Sequence, residues 1–238
     1  MRLAYLFSDF INGQGGRKMY RKELFVFQEG RPIRAIVRNY KKEDFEDLIA
    51  IQQECFPPPF PSELWWSEEQ LANHVKLYPE GALGVEINGE LVGSITGLLV
   101  PFDPENPIHT WEEVTDHGYI RNHDPKEKTL YIVDISVKPA FRKLDLGKLL
   151  MQAVYERVVH DDLDRVLGGG RMPGYHHYAL QLTPEQYVEN VLDGNLKDPV
   201  ISFLLRCGRT PVCVVPNYLE DEESHNNALL MEWKNPFK

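Results

Sequence analysis

Apolar and polar positions along this chain follow two distinct periods, and the switches between them mark out its elements. Leu24-Phe25-Val26-Phe27 and the stretch Ile33 to Val37 flank Glu29-Gly30, which predicts a hairpin whose second arm is the first core strand. The spacing then becomes helical. After the polar run Lys41 to Asp44, the residues Phe45, Leu48, Ile49 and Ile51 fall mostly on one face, and Pro57-Pro58-Pro59 stops the helix. Ser67-Glu68-Glu69-Gln70 has the capping-box pattern, in which a side-chain oxygen and a polar N3 residue satisfy free amides; it opens a second helix ending near Gly81. Ala82 to Val100 is interrupted by Asn88-Gly89, the dipeptide that best tolerates the left-handed angles of a two-residue turn between antiparallel strands. Pro101 to Lys128 has no strong period and predicts a long excursion from the sheet.

Leu130 to Val137 is nearly continuous in apolar residues, as expected of a strand covered on both faces at the sheet's centre. Leu146, Leu149, Leu150, Ala153, Val154 and Val158 recur at helical spacing and lay one face against that strand. Arg165-Val166-Leu167 leads into Gly168-Gly169-Gly170, and Thr183-Pro184-Glu185-Gln186 resembles a capped helix start with proline at N1. A short helix at Ile201 to Leu205 and two closing strands, Pro211 to Val215 and Ala228 to Trp233, complete the chain. The predicted order is ββαα-ββ-β-α-β-α-ββ. This is an α+β protein with a mixed, mainly antiparallel central sheet flanked by helices. Met1 to Tyr20 shows no sustained period, so residues 1–32 read as an N-terminal extension with a hairpin strand and residues 33–238 as one domain.

Composition narrows the class without changing that layout. Hydrophobic residues make up 42% of the 238, enough for a sizeable core. Cys55, Cys207 and Cys213 form no C-x-x-C pair and have no histidine partners at zinc spacing, so the sequence predicts no metal and a reducing cytoplasm. His109, His117 and His123 show no ligand spacing either. No apolar run reaches the roughly 18 residues of a membrane span, and Met1 to Gly16 lacks a cleavage-site pattern, so neither membrane nor secretion is expected. The formal charge of −10 repels a phosphate backbone and argues against nucleic acid as a partner. A neutral or cationic small substrate suits that field better, although solubility alone explains the charge.

The candidate chemistry sits where the buried strand turns into a helix, from Ile135 to Lys148. Such a junction aims free amides and a positive dipole end at one spot, which favours an anion, and Arg142, Lys143 and Lys148 add formal charge. Two rival phosphate motifs fail. Gly147-Lys148 lacks the P-loop's earlier glycine and its hydroxyl, and Gly168-Gly169-Gly170 runs on to Pro173 and Gly174 and not into a helix.

The element order, together with V-x-P-x-x-R-x-x-x-x-G at Val137, Pro139, Arg142 and Gly147, resembles the GNAT superfamily of acyl-CoA-dependent N-acyltransferases over about Ile33 to Asn235. The resemblance implies that the strand Leu130 to Val137 splays from its neighbour. Amides near Ile135, Ser136 and Val137 would then bond the pantetheine arm of acetyl-CoA or another acyl-CoA, and the turn Arg142, Lys143, Leu144, Asp145, Leu146, Gly147 and Lys148 would hold the pyrophosphate. The family's first motif glycine is here Asp145, whose carboxylate must point away from a pyrophosphate. More narrowly, Gly169 to Tyr175 and Pro216-Asn217-Tyr218-Leu219 resemble a bacterial subgroup, some of whose members carry a carbon–nitrogen hydrolase domain.

The implied reaction is transfer of an acetyl or other short acyl group to a small-molecule or peptide amine by direct attack in a ternary complex; a homodimer is compatible with it. The position of the family's glutamate base is Val133, and that of its tyrosine acid is Leu204, so both usual roles are vacant. That vacancy motivates an alternative, a non-catalytic acyl-CoA-binding regulatory module. The remaining catalytic candidates are Asp134, Tyr131 and His177. Tyr131 shares a face with Val133 by strand alternation, and Asp134 lies on the opposite face unless a bulge re-aims it. His176 and His177, as neighbours, are expected to face opposite ways. Phe60, Trp65 and Trp66, between the first two helices, and Tyr175 and Tyr178 are candidate acceptor walls, with core packing the plainer reading for each.

Overall fold

The computed structural model describes residues 10–12, 16 and 18–238. Among the described residues nine strands form one sheet: β1 (Phe10–Asn12), β2 (Lys18–Gln28), β3 (Arg31–Asn39), β4 (Ala82–Ile87), β5 (Glu90–Val100), β6 (Thr129–Val137), β7 (Arg165–Arg171), β8 (Thr210–Val215) and β9 (Ala228–Lys234). Their spatial order is β1-β2-β3-β4-β5-β6-β7-β9-β8, antiparallel at every step except the β6–β7 pair. The helices are α1 (Phe45–Cys55), α2 (Glu68–Leu77), α3 (Trp111–Thr115), α4 (Leu146–His160), α5 (Pro184–Leu192) and α6 (Pro199–Arg206). This is the mixed, mainly antiparallel architecture expected from the pattern. Residues 1–9, 13–15 and 17 lie outside the described residues.

Local signals act where they were read. Asn88 and Gly89 both have positive φ, 53° and 89°, so the β4–β5 turn has the mirror-image geometry that lets right-twisted strands pair tightly. Ser67 accepts the amide of Gln70 while Gln70 reaches back to Ser67, and the cap at Thr183 is built in the same way.

Two features were not legible in the sequence. The glycines Gly168 to Gly170 lie within β7, because that strand must run unobstructed beneath its neighbours. A Cβ on Gly169 would stand 2.4 Å from the Tyr218 ring, one on Gly170 2.7 Å from Leu204, and one on Gly168 3.2 Å from Ile132. At the start of the chain, Phe10–Asn12 and Lys18–Tyr20 extend the sheet as β1 and the first residues of β2. They are tied to α4: Tyr20 donates to Glu156 at 2.7 Å, Lys22 does so at 2.8 Å, and the buried Arg157 guanidinium lies 4.5 Å above the Phe10 ring.

Candidate active site

The site is opened by a break in strand pairing. β6 and β7 pair only at Thr129↔Arg165, Leu130↔Val166 and Tyr131↔Leu167. Beyond that point β6 stays bonded to β5 as far as Val137, and β7 stays bonded to β9 as far as Arg171. The two strands therefore part and leave a wedge, walled on one side by the free edge of β6 and on the other by the side-chain-poor glycines of β7.

A bulge sets what faces this wedge. Asp134 pairs with Thr96 and Ile132 with Gly97, so Val133 is an extra residue on β6. Cross-strand partners share a face. Tyr131 opposite Leu98, Asp134 opposite Thr96 and Ser136 opposite Ser94 consequently lie on one face, which α1 covers. Of the two arrangements the sequence left open for Asp134, the structure has the one in which a bulge re-aims it onto the face of Tyr131. Val133 uses its carbonyl to accept the indole N–H of Trp111 at 3.0 Å, which pins the 101–128 excursion onto the bulge.

Asp134 is half-buried, and its Oδ2 accepts the Gln52 amide at 2.9 Å and the Ser136 hydroxyl at 2.8 Å. Burial pushes its pKa up to about 6, opposed by those two hydrogen bonds, by the Ile135 amide and by the field of Arg171. The result is a carboxylate poised to exchange a proton near neutrality. Gln52 was not singled out in the sequence, although a glutamine four residues after Leu48 on the apolar face of α1 is a readable signal. Arg171 was also missed as a side chain. It grips Asp221 through two bonds of 2.7 and 2.6 Å, reaches Glu223 at 3.0 Å, and lies 4.9 Å from the Phe60 ring and 5.7 Å from that of Phe56.

At the far end of β6, the residues 139–144 form a 3-10 turn that delivers Asp145 as the N-cap of α4. Asp145 has φ 57° and ψ 20°, the left-handed conformation for which aspartate is among the more tolerated replacements of glycine. Arg142, Lys143, Asp145 and Lys148 are exposed, whereas Leu144 and Leu146 bury their side chains and offer only backbone to a ligand. Arg142 donates Nε to the Val137 carbonyl at 3.2 Å, and the Cys55 thiol donates to the same oxygen at 3.2 Å. Gly147 sits under the Phe203 ring of α6, to which a Cβ would come within 3.1 Å. Ser136 turns its hydroxyl to Asp134 and away from this turn.

The other candidates scatter. Trp66 is core, edge-on to His74 at 5.0 Å, while Trp65 donates its indole N–H to the Phe56 carbonyl at 3.0 Å. Tyr175 is buried and bonded to the Leu182 carbonyl, and Tyr178 packs on Tyr187. His177 is exposed, and its ring lies 3.7 Å from that of His176, so the two do not face opposite ways. A short helical turn at Tyr175–His177 brings them to one side. Tyr131 enters a chain not foreseen: its hydroxyl is 2.7 Å from that of Tyr218 and 2.8 Å from His109 Nε2.

A strand-edge wedge leads to a turn that exposes Arg142, Lys143 and Lys148, with the half-buried Asp134 carboxyl along its wall. Residues 45–175 match the Acetyltransferase (GNAT) family, and the chain belongs to it. The chain is 56% identical to an uncharacterized N-acetyltransferase, YkwB of Bacillus subtilis (strain 168), over 91% of this chain and 96% of that one. It is 38% identical to a probable hydrolase, YhcX of the same organism, over 84% of this chain and only 38% of the relative. Among solved structures, the GphF GNAT-like decarboxylase in complex with isobutyryl-CoA superposes with a TM-score of 0.71 at 24% identity, covering 84% of this chain and 98% of that chain. The loading GNATL domain of CurA from Lyngbya majuscula gives 0.73 at 18%, covering 86% and 99%, and both show the fold. As a member of this family the protein is an acyltransferase that uses acyl-CoA. Among the described residues no helix is long and apolar enough to cross a membrane.

Proposed function

We propose that the protein transfers an acetyl or other short acyl group from acyl-CoA to a primary amine by direct attack, with both substrates held in the wedge between β6 and β7. The observation that carries this reading is the parting of those strands after Tyr131↔Leu167, which frees one edge of β6 beside Asp134. The free edge at Ile135 to Val137 suits the amides of a pantetheine arm. The 142–148 turn suits its pyrophosphate, through the leading amides of α4 and the charges of Arg142, Lys143 and Lys148. Asp145 takes the left-handed position while its carboxylate is exposed to solvent, which reconciles an acid with an anion site. The isobutyryl-CoA bound by the GphF neighbour supports a short acyl group. In attack on the thioester carbonyl, Asp134 would take a proton from the amine nitrogen and pass it to the departing sulfur, with Gln52 and Ser136 fixing its carboxyl. Phe60 and Phe56, whose rings both lie beside the Arg171 guanidinium, would line the acceptor's approach.

Calorimetry with acetyl-CoA, followed by thiol release and product mass over a panel of primary amines, tests the proposal. Binding with turnover to an N-acyl product supports it. Binding without turnover on any amine leaves the regulatory module that the vacant Val133 and Leu204 positions suggested, and no binding at micromolar acetyl-CoA removes both. Gly147→Trp should abolish acetyl-CoA binding; an unchanged affinity would refute the placement at the turn.

A further inference from the structure

The reaction proposed above releases a proton. An alkylamine arrives as an ammonium ion, and ammonium plus thioester gives amide, thiol and one free proton. Two protons therefore leave the nitrogen: one ends on sulfur, and the other must reach water. Asp134 can serve only one of them at a time.

We propose that Tyr218, Tyr131 and His109 form the exit for the other, a hydrogen-bonded path from the wedge to a solvent-open cavity beneath the 101–122 segment; this rests on the acyl-transfer reading. The entrance lies where β6 and β7 part. The Tyr218 ring and its hydroxyl lie directly against Gly169, two residues beyond the last β6–β7 pair. The links are short: 2.7 Å from Tyr218 to Tyr131, then 2.8 Å from Tyr131 to His109 Nε2. The far end opens into a cavity of about 380 Å³ lined by Val100, Phe102, Asp103, His109, Glu113 and Leu167.

The geometry also sets the direction of the path. His109 Nδ1 lies 2.8 Å from the Pro107 carbonyl, which only accepts, so Nδ1 carries the hydrogen and Nε2 must accept from the Tyr131 hydroxyl. The Tyr131 oxygen then accepts the Tyr218 proton, which leaves a lone pair on the Tyr218 oxygen, beside Gly169 on the β7 wall of the wedge. When an ammonium N–H breaks there, its proton binds the Tyr218 oxygen, the former Tyr218 proton passes to Tyr131, and the former Tyr131 proton binds Nε2. Only His109 gains charge. Glu113 stabilises the imidazolium, Asp103 shares the cavity, and Arg209 places its positive field on the two phenols. Burial holds His109 below its ordinary pKa, so the ring is neutral and ready to accept at pH 7, and once charged it returns the proton to cavity water.

The test compares wild type, His109→Gln and Tyr131→Phe, using acetyl-CoA and the most active amine of the panel, with kcat/KM measured from pH 6 to 10 and folding checked by thermal melts. Glutamine keeps an acceptor for Tyr131 but cannot be protonated, so it guards against collapse of the cluster. The path requires kcat/KM for the amine to fall roughly tenfold or more at pH 7. The KM for acetyl-CoA should hold, and the deficit should vanish near pH 10, where the amine is neutral without help. Variant profiles that run parallel to wild type at every pH, or match it, would overturn the path. A wild type that makes no amide with any amine removes the acyl-transfer reading and the path with it, whereas an active wild type with parallel profiles removes the path alone.

Discussion

Asp134 is a side chain that is costly to the fold and, in the proposed reaction, carries a proton. Its pKa of about 6, against an ordinary 3.8, means that the folded state resists its ionisation. Two pH units correspond to about 3 kcal/mol at most, and exposure to cleft water reduces that. Because the folded pKa is raised, the cost is absent below about pH 4 and grows as pH rises through 6. Asp134→Asn is therefore expected to raise stability at pH 7 by ~1–2 kcal/mol in denaturant titration. The same change should lower kcat by about 10²- to 10⁴-fold and erase the rise in kcat/KM near pH 6. A variant that is no more stable and keeps the wild-type pH profile would show that the carboxyl is structural.

At the scale of elements, the 101–128 excursion is held by polar anchors that its own sequence does not display. Trp111 reaches the Val133 carbonyl of β6, and the buried His74 of α2 bonds the Gly118 carbonyl at 2.7 Å through Nε2 and the Tyr40 hydroxyl at 3.0 Å through Nδ1. Tyr40 in turn lies 2.9 Å from the Thr96 hydroxyl on β5. Burial drives the His74 pKa down to about 4. The unfolded chain, titrating near 6.5, binds that proton first, so stability is present above pH 6.5 and is lost as pH falls towards 4, by about 3 kcal/mol in the limit. Urea midpoints between pH 7 and 4 should show this slope, and His74→Gln should flatten it; an equal slope in the variant would assign acid lability elsewhere. The hairpins, caps and amphipathic helices were legible because they depend on neighbours in sequence. The bulge at Val133 was not, because it depends on how β6 registers against β5.

Over the whole molecule, the formal charge of −10 bears on both substrates of the proposed reaction. In the proposed reaction that field would draw in an ammonium acceptor and repel a polyphosphate donor, a repulsion that the exposed Arg142, Lys143 and Lys148 would offset. Raising ionic strength from about 10 mM to 150 mM shortens the screening length from about 30 Å to 8 Å. The expectation is a several-fold fall in kcat/KM for the cationic amine, with kcat/KM for acetyl-CoA flat or rising. Parallel falls for both substrates would mean that the net field does not govern acceptor capture.

The sequence was sufficient for what local chemistry dictates: the α+β order, the Asn88-Gly89 turn, the capped helices and the Val137 to Gly147 junction. Each follows from a period, a positive φ or a set of free amides within a few residues. Tertiary structure decided the rest. Strand register placed Tyr131 and Asp134 on one face, and packing against α1 brought Gln52 to the Asp134 carboxyl across 82 positions. Close approach of Tyr218 required Gly169 to lack a side chain, and the fold joined Tyr218, Tyr131 and His109 into one hydrogen-bonded chain. Contacts between residues far apart in sequence leave no periodic trace, so alternation along β6 left the face of Asp134 open and one inserted residue decided it.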